Sequence, residues 1–142
     1  MTDRIANVTW SGSLIEGSGT IESVGSGAFG PLEVTWASRA DDSDGRTSPD
    51  ELIAAAHAAC FSMALSHGLA EAGMPADRLE SSATVTFVPG TGITKIALSV
   101  RGSVPGMDEA AFGDAAQAAK ENCPVSKALA AVPEITLDAS LS

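Results

Sequence analysis

Two cysteines, Cys60 and Cys123, and two histidines, His57 and His67, are the side chains of this sequence best suited to nucleophilic, redox or metal chemistry. Two cysteines are too few to staple a scaffold of this size, and a reducing compartment would not keep a structural bridge oxidised. His57 and Cys60 stand three residues apart and could share a zinc ion on a helix. Cys60 and His67 are seven apart, ~10 Å along a rigid helix, which a tetrahedral ion with bonds of ~2 Å cannot bridge. No metal is expected. A Cys-His hydrolase is disfavoured as well, because no Gly-rich oxyanion turn accompanies the pair. His57 is read as a partly satisfied core or interface histidine. What the sulfurs can do together is a two-cysteine redox cycle, in which one thiolate is oxidised to a sulfenic acid and the other condenses with it. The plain alternative is two buried cysteines acting as small hydrophobes.

The elements around each sulfur decide how it could be activated. Ser48-Pro49-Asp50-Glu51 offers an N-cap serine, a proline at the first helical position and a glutamate at the third, and Gly73 and Pro75 supply the stop. The helix between them is ~24 residues and ~36 Å long. Cys60 lies in its middle, where the helix dipole does little for ionisation and burial raises the thiol pKa, so a reactive Cys60 requires a cation from elsewhere. Arg39 and Arg46 are the nearest positive charges, set among five carboxylates from Asp41 to Glu51. A carboxylate of the first helical turn could hold such an arginine over the sulfur. Cys123 directly precedes Pro124, which places its sulfur at the N-cap of a short helix over Val125 to Ala131, where free N–H groups favour a thiolate.

From Ile53 to Leu69 the long helix is apolar on every side, broken only by His57, Ser62, Ser66 and His67. It is expected to be buried. A domain of this length has a radius of gyration of ~14 Å, too small to cover such a helix, so a second copy of the chain is expected to do so, as an obligate homodimer; the plain alternative is one central helix wrapped by its own sheet. The other elements read as strands before Ser38, the last over Pro31–Ser38; an acidic surface loop over Arg39–Thr47; a hairpin over Ser82–Val88 and Ile93–Val100; a helix capped by Asp108 with the stripe Phe112, Ala115, Ala116, Ala119; and a final strand over Glu134–Leu141. The class is α+β, with the long helix enclosed by antiparallel sheets.

A chain of 142 residues makes one domain, 1–142. Hydrophobic residues make up 44% but aromatics only 4%, which implies an aliphatic, alanine-rich core and excludes disorder. A net charge of −10 repels phosphate backbones and anionic headgroups, so neither nucleic acid nor membrane is an expected partner. The first ten residues lack a basic stretch followed by an apolar one, and no apolar run approaches a membrane span without a polar break. The expected location is the cytoplasm.

The segment Ser48–Leu65, SPDELIAAAHAACFSMAL, resembles the signature helix of the OsmC/Ohr family of peroxide-reducing proteins, the osmotically inducible, peroxiredoxin-like OsmC branch in particular. GITKIAL from Gly92, NCPVS from Asn122 and EITL from Glu134 resemble later family blocks in the same order. The resemblance implies an intertwined homodimer and a stress-related, antioxidant reduction of organic hydroperoxides, with hydrogen peroxide a second substrate left open. It implies Cys60 as the peroxidatic and Cys123 as the resolving cysteine, and Arg39 as the arginine that stabilises the thiolate. The family's partner carboxylate is a glutamate ten residues before the reactive cysteine, a place held here by Asp50. Glu51 is the substitute, although its capping-box reading competes. No prosthetic cofactor is implied; an external dithiol, often a lipoyl group in related proteins, reduces the disulfide. The competing function is a non-catalytic module that holds an apolar ligand at the dimer interface.

Overall fold

The computed structural model describes residues 1–142, which form two compact units, Met1–Leu52 and Ile53–Ser142. In the first unit, β1 (Ala6–Ser11), β2 (Ser18–Val24) and β3 (Leu32–Val34) form an antiparallel sheet in that order. Gly19 leaves room for Trp10, since a Cβ there would stand 2.6 Å from the indole ring. β1 is exposed along its whole length.

The strand expected over Pro31–Ser38 ends at Val34. Thr35 caps a five-residue helix, α1 (Trp36–Ala40): its hydroxyl accepts from the Ser38 N–H, and the Ser38 hydroxyl accepts from the Thr35 N–H, both at 3.0 Å. This reciprocal capping box satisfies two amides locally, and Trp36 leaves the sheet despite its alternation with Leu32 and Val34. The acidic loop therefore begins at Asp41, and its residues to Gly45 are exposed as expected.

The long helix α2 (Pro49–Glu71) has the expected ends. The Ser48 hydroxyl accepts from the Glu51 N–H at 3.1 Å. At the other end Gly73, with φ of +78°, closes a Schellman motif in which the N–H groups of Met74 and Gly73 donate to the carbonyls of Leu69 and Ala70. Burial on every side is not what the chain provides. Within the body of the helix only His57, Phe61, Leu65 and Leu69, a line at i, i+4 spacing, are buried, whereas Ala55, Ala56, Ala59, Met63 and Ala70 are exposed. One packed layer covers one face of a helix, and no more. Length and composition alone would let α2 cross a membrane; the buried line instead packs into the core of the second unit.

That core rests on a sheet of order β4 (Arg78–Val88), β5 (Gly92–Ser103) and β6 (Glu134–Leu141). The β4–β5 hairpin is antiparallel, but β6 runs parallel to β5, which corrects the expectation of antiparallel sheets. A parallel return requires a crossover, supplied by α3 (Glu109–Asn122) and α4 (Pro124–Ala128). α4 is shorter than expected because the chain turns at Leu129 before reaching β6. Phe61, Leu65 and Leu69 of α2 meet Ile96, Leu98 and Val100 of β5 and Phe112, Ala116 and Ala119 of α3 in a single core, with Ile135, Leu137, Ala139 and Leu141 packed against it.

Gly102 is a tight point of that packing. A Cβ at this position would stand 2.5 Å from the ring of the fully buried Phe112 and 3.2 Å from Leu79. Gly102→Ala should therefore lower stability by about 1–3 kcal/mol through overpacking, read as a lower urea midpoint; an unchanged midpoint would mean that the Phe112 ring moves freely.

Candidate functional site

In the first unit, the cap of α2 brings a carboxylate to an arginine. α1 ends with Arg39 in its last turn, and the Ser38 hydroxyl lies 2.9 Å from the Thr47 carbonyl, which ties α1 to the residue before the Ser48 cap. Arg39 Nε donates to Asp50 Oδ2 at 3.0 Å and Nη2 donates to Oδ1 at 3.3 Å, a two-pronged pair. Asp50 is 6% exposed and the Arg39 side chain 29%. The aspartate thus reaches the guanidinium although it is one methylene shorter than a glutamate. Glu51 is oriented otherwise: its carboxylate accepts from the Thr47 hydroxyl at 3.2 Å. Arg46 pairs with Glu33 at 3.3 Å and with Asp44 at 3.1 Å.

In the second unit, the two cysteines come together. Cys60 is partly buried and Cys123 fully buried, both as free thiols, and each bears on the other's ionisation as a direct neighbour. Burial pushes the Cys60 pKa up, and so does donation of its S–H to Cys123; the Val125 N–H opposes both. Burial would also raise Cys123, but hydrogen bonds from Cys60, the Ser126 amide and hydroxyl and the Val125 amide outweigh it, and its pKa is lowered. The sulfur does not close a strict N-cap on α4; several near donors act together instead. The two thiols titrate as a coupled pair, with Cys60 pushed up and Cys123 drawn down.

His57, one turn before Cys60 on α2, is fully buried. Its Nε2 is 2.7 Å from the Ser126 hydroxyl, while Nδ1 has no hydrogen-bond partner. This matches the reading of a partly satisfied core histidine. No three His, Cys, Asp or Glu side chains converge as metal ligands would.

With this geometry in hand, comparison with known proteins is decisive. The profile of the OsmC-like protein family matches residues 41–138. The chain belongs to that family. It is 44% identical over 135 residues to peroxiredoxin OsmC of Escherichia coli K12, covering 93% of this chain and 92% of that protein, and equally to peroxiredoxin OsmC of Shigella flexneri. Among solved structures it superposes on the organic hydroperoxide resistance protein OhrB of Bacillus subtilis with a TM-score of 0.65 and 25% identity, covering 97% and 98% of the two chains. The organic hydroperoxide resistance protein OsmC of Legionella pneumophila gives a TM-score of 0.67 at 20% identity, covering 97% and 96%, a likeness of fold. The matched family segment holds Asp50, Glu51, Cys60 and Cys123 and begins just after Arg39.

In this OsmC-like chain Ser126 is the polar neighbour of the sulfurs that sequence reasoning missed. The signal was present: with Cys123 at the N-cap and Pro124 at the first position, Ser126 takes the third position, the place of the reciprocal partner in a capping box.

Burial holds the His57 pKa below its ordinary 6.5. The unfolded chain therefore takes up a proton near pH 6.5 that the folded chain refuses, and the folded state loses stability as pH falls through that range. His57→Gln removes this term. The stability advantage of wild type over His57→Gln should narrow between pH 7 and pH 5 in urea denaturation; a constant difference would place the imidazole in contact with water.

Proposed function

We propose that the protein is a thiol-based peroxidase that reduces organic hydroperoxides, with Cys60 as the peroxidatic and Cys123 as the resolving cysteine. The observation that carries this reading is the pair of neighbouring free thiols in a chain of the OsmC-like family. Relatives named peroxiredoxin and organic hydroperoxide resistance protein support it. The Cys60 thiolate attacks the distal peroxide oxygen; the O–O bond breaks, an alkoxide leaves and is protonated to the alcohol, and Cys60 becomes a sulfenic acid. Cys123 thiolate then attacks the Cys60 sulfur, the S–S bond forms and hydroxide leaves. An external dithiol, a lipoyl group being the candidate, restores both thiols by exchange, and no prosthetic group is needed. Hydrogen peroxide is a second candidate substrate.

The groups around Cys60 in the second unit leave it a thiol, so its activation calls for a cation. We assign this part to Arg39, oriented by Asp50, whose two-pronged pair fixes the guanidinium plane. Glu51, engaged with Thr47, is the weaker candidate. The two units are taken to work as one domain, residues 1–142, in the cytoplasm. A homodimer is supported by what one chain leaves uncovered: Met63 on α2 is 73% exposed, Val8 on β1 60%, and the alanines of α2 would let a second backbone approach closely.

One equivalent of tert-butyl hydroperoxide should remove two hydrogens from the reduced protein and link Cys60 to Cys123, as read by intact and peptide mass spectrometry. Cys60→Ser should abolish peroxide consumption, and Cys123→Ser should give one turnover and a trappable sulfenic acid. A reduced protein that keeps its mass would refute the cycle. Arg39→Ala should slow peroxide reduction by ~100-fold or more and raise the apparent Cys60 pKa; an unchanged pKa would remove Arg39 from the role. Sedimentation at micromolar concentration should report twice the 14.3 kDa of one chain, and a monomer there would exclude the obligate dimer.

A further inference from the structure

The peroxidase reading leaves unexplained why a neutral imidazole with one unpartnered nitrogen is buried beside the sulfur pair. His57 Nε2 is 2.7 Å from the Ser126 hydroxyl, and Ser126, in the third position of the helix that follows Cys123, is among the groups that favour the Cys123 thiolate. All three side chains are less than a tenth exposed. A hydroxyl has one proton. If Ser126 gives it to the Cys123 sulfur, its oxygen must accept from His57, which fixes the histidine as the Nε2–H tautomer. Nδ1 is then a bare lone pair, which agrees with its lack of a partner. In the opposite tautomer Nδ1–H would be a buried donor with no acceptor, and Nε2 would draw the serine proton away from sulfur.

We propose that His57 and Ser126 are positioning residues for the resolving step, forming a one-way chain of donors, His57 Nε2–H to Ser126 Oγ–H to Cys123 Sγ, that holds Cys123 as the attacking thiolate. The inference rests on the proposed peroxidase cycle and adds to it the residues that ready its second half. In the step concerned, a lone pair of Cys123 sulfur forms the S–S bond with Cys60, the S–O bond of the sulfenic acid breaks, and hydroxide leaves with the electron pair and takes a proton from water. The Cys60 sulfur is reduced and the Cys123 sulfur oxidised. Once Cys123 carries no charge the serine hydroxyl is released from it.

Ser126→Ala should leave sulfenic acid formation at Cys60 within about twofold of wild type and slow disulfide formation by about tenfold or more, because a hydrogen bond to a charged group is lost. Single-turnover mass spectrometry after tert-butyl hydroperoxide, with dimedone to trap the sulfenic acid, separates the two steps. Ser126→Thr, which keeps the hydroxyl, should restore the second step. Nitrogen-15 NMR of wild-type histidine should show His57 protonated on Nε2. An equal rate of disulfide formation in Ser126→Ala, or an Nδ1–H tautomer, would overturn the donor chain. If wild type itself formed neither sulfenic acid nor disulfide, the peroxidase reading would fall instead, so the two failures are distinguishable. Should Ser126→Ala not fold, the tautomer measurement on wild type decides alone.

Discussion

A negative sulfur in apolar surroundings is stable only where donors or a cation replace the water it has lost, and two adjacent sulfurs cannot both meet that condition. Around Cys60 and Cys123 the donors are backbone and side-chain dipoles at the start of α4, and they gather on Cys123. Cys60, on the unbroken body of α2, has its amide committed to the helix, and the Val125 N–H does not offset what raises its pKa. The asymmetry follows from where each residue sits: one at a helix start, where amides are free, and one in a helix interior, where they are used. The sulfur expected to meet peroxide is therefore the one the second unit does least to ionise.

The same helix carries the other constraint. α2 is apolar around its circumference, yet the core of the second unit takes up Phe61, Leu65 and Leu69, with Ala64 at its edge, and His57 is buried on the same line. The line that fills the core also holds His57 in it, one turn from Cys60 on the same helix. Packing and chemistry are thus coupled: a shift of α2 by a fraction of a turn would move His57 away from Ser126 as surely as it would open the core.

What was legible in the sequence were features written in local chemistry. Ser48-Pro49 and Gly73 mark the ends of α2, Asp108 marks the start of α3, and Pro124 marks the start of α4, because caps, fixed φ and positive φ are decided within a few residues. The break after Val34 was also local but masked, since Thr35 and Ser38 form a capping box inside a run that alternates like a strand. The direction of β6 was not legible at all: Ile135, Leu137 and Ala139 show which face turns inward, and that pattern is the same for a parallel and an antiparallel neighbour. The meeting of Cys60 with Cys123 depends on that long-range closure, so the residues resembling a family suggested it before any periodicity could.

Asp50 shows how a departure from a family pattern can keep an ion pair with arginine. A carboxylate one methylene shorter must be approached more closely by its arginine, and α1 supplies the approach. The Thr35–Ser38 box ends the strand early and turns the chain, so that Arg39 leaves from the last turn of a helix tied through Ser38 to Thr47. Had Trp36 to Ser38 continued as a strand, Arg39 would have followed at ~3.3 Å per residue, carried away from the Ser48 cap. The bidentate contact of 3.0 and 3.3 Å is thus a property of α1 as much as of Asp50, and lengthening the carboxylate back to glutamate without changing α1 would move the guanidinium plane.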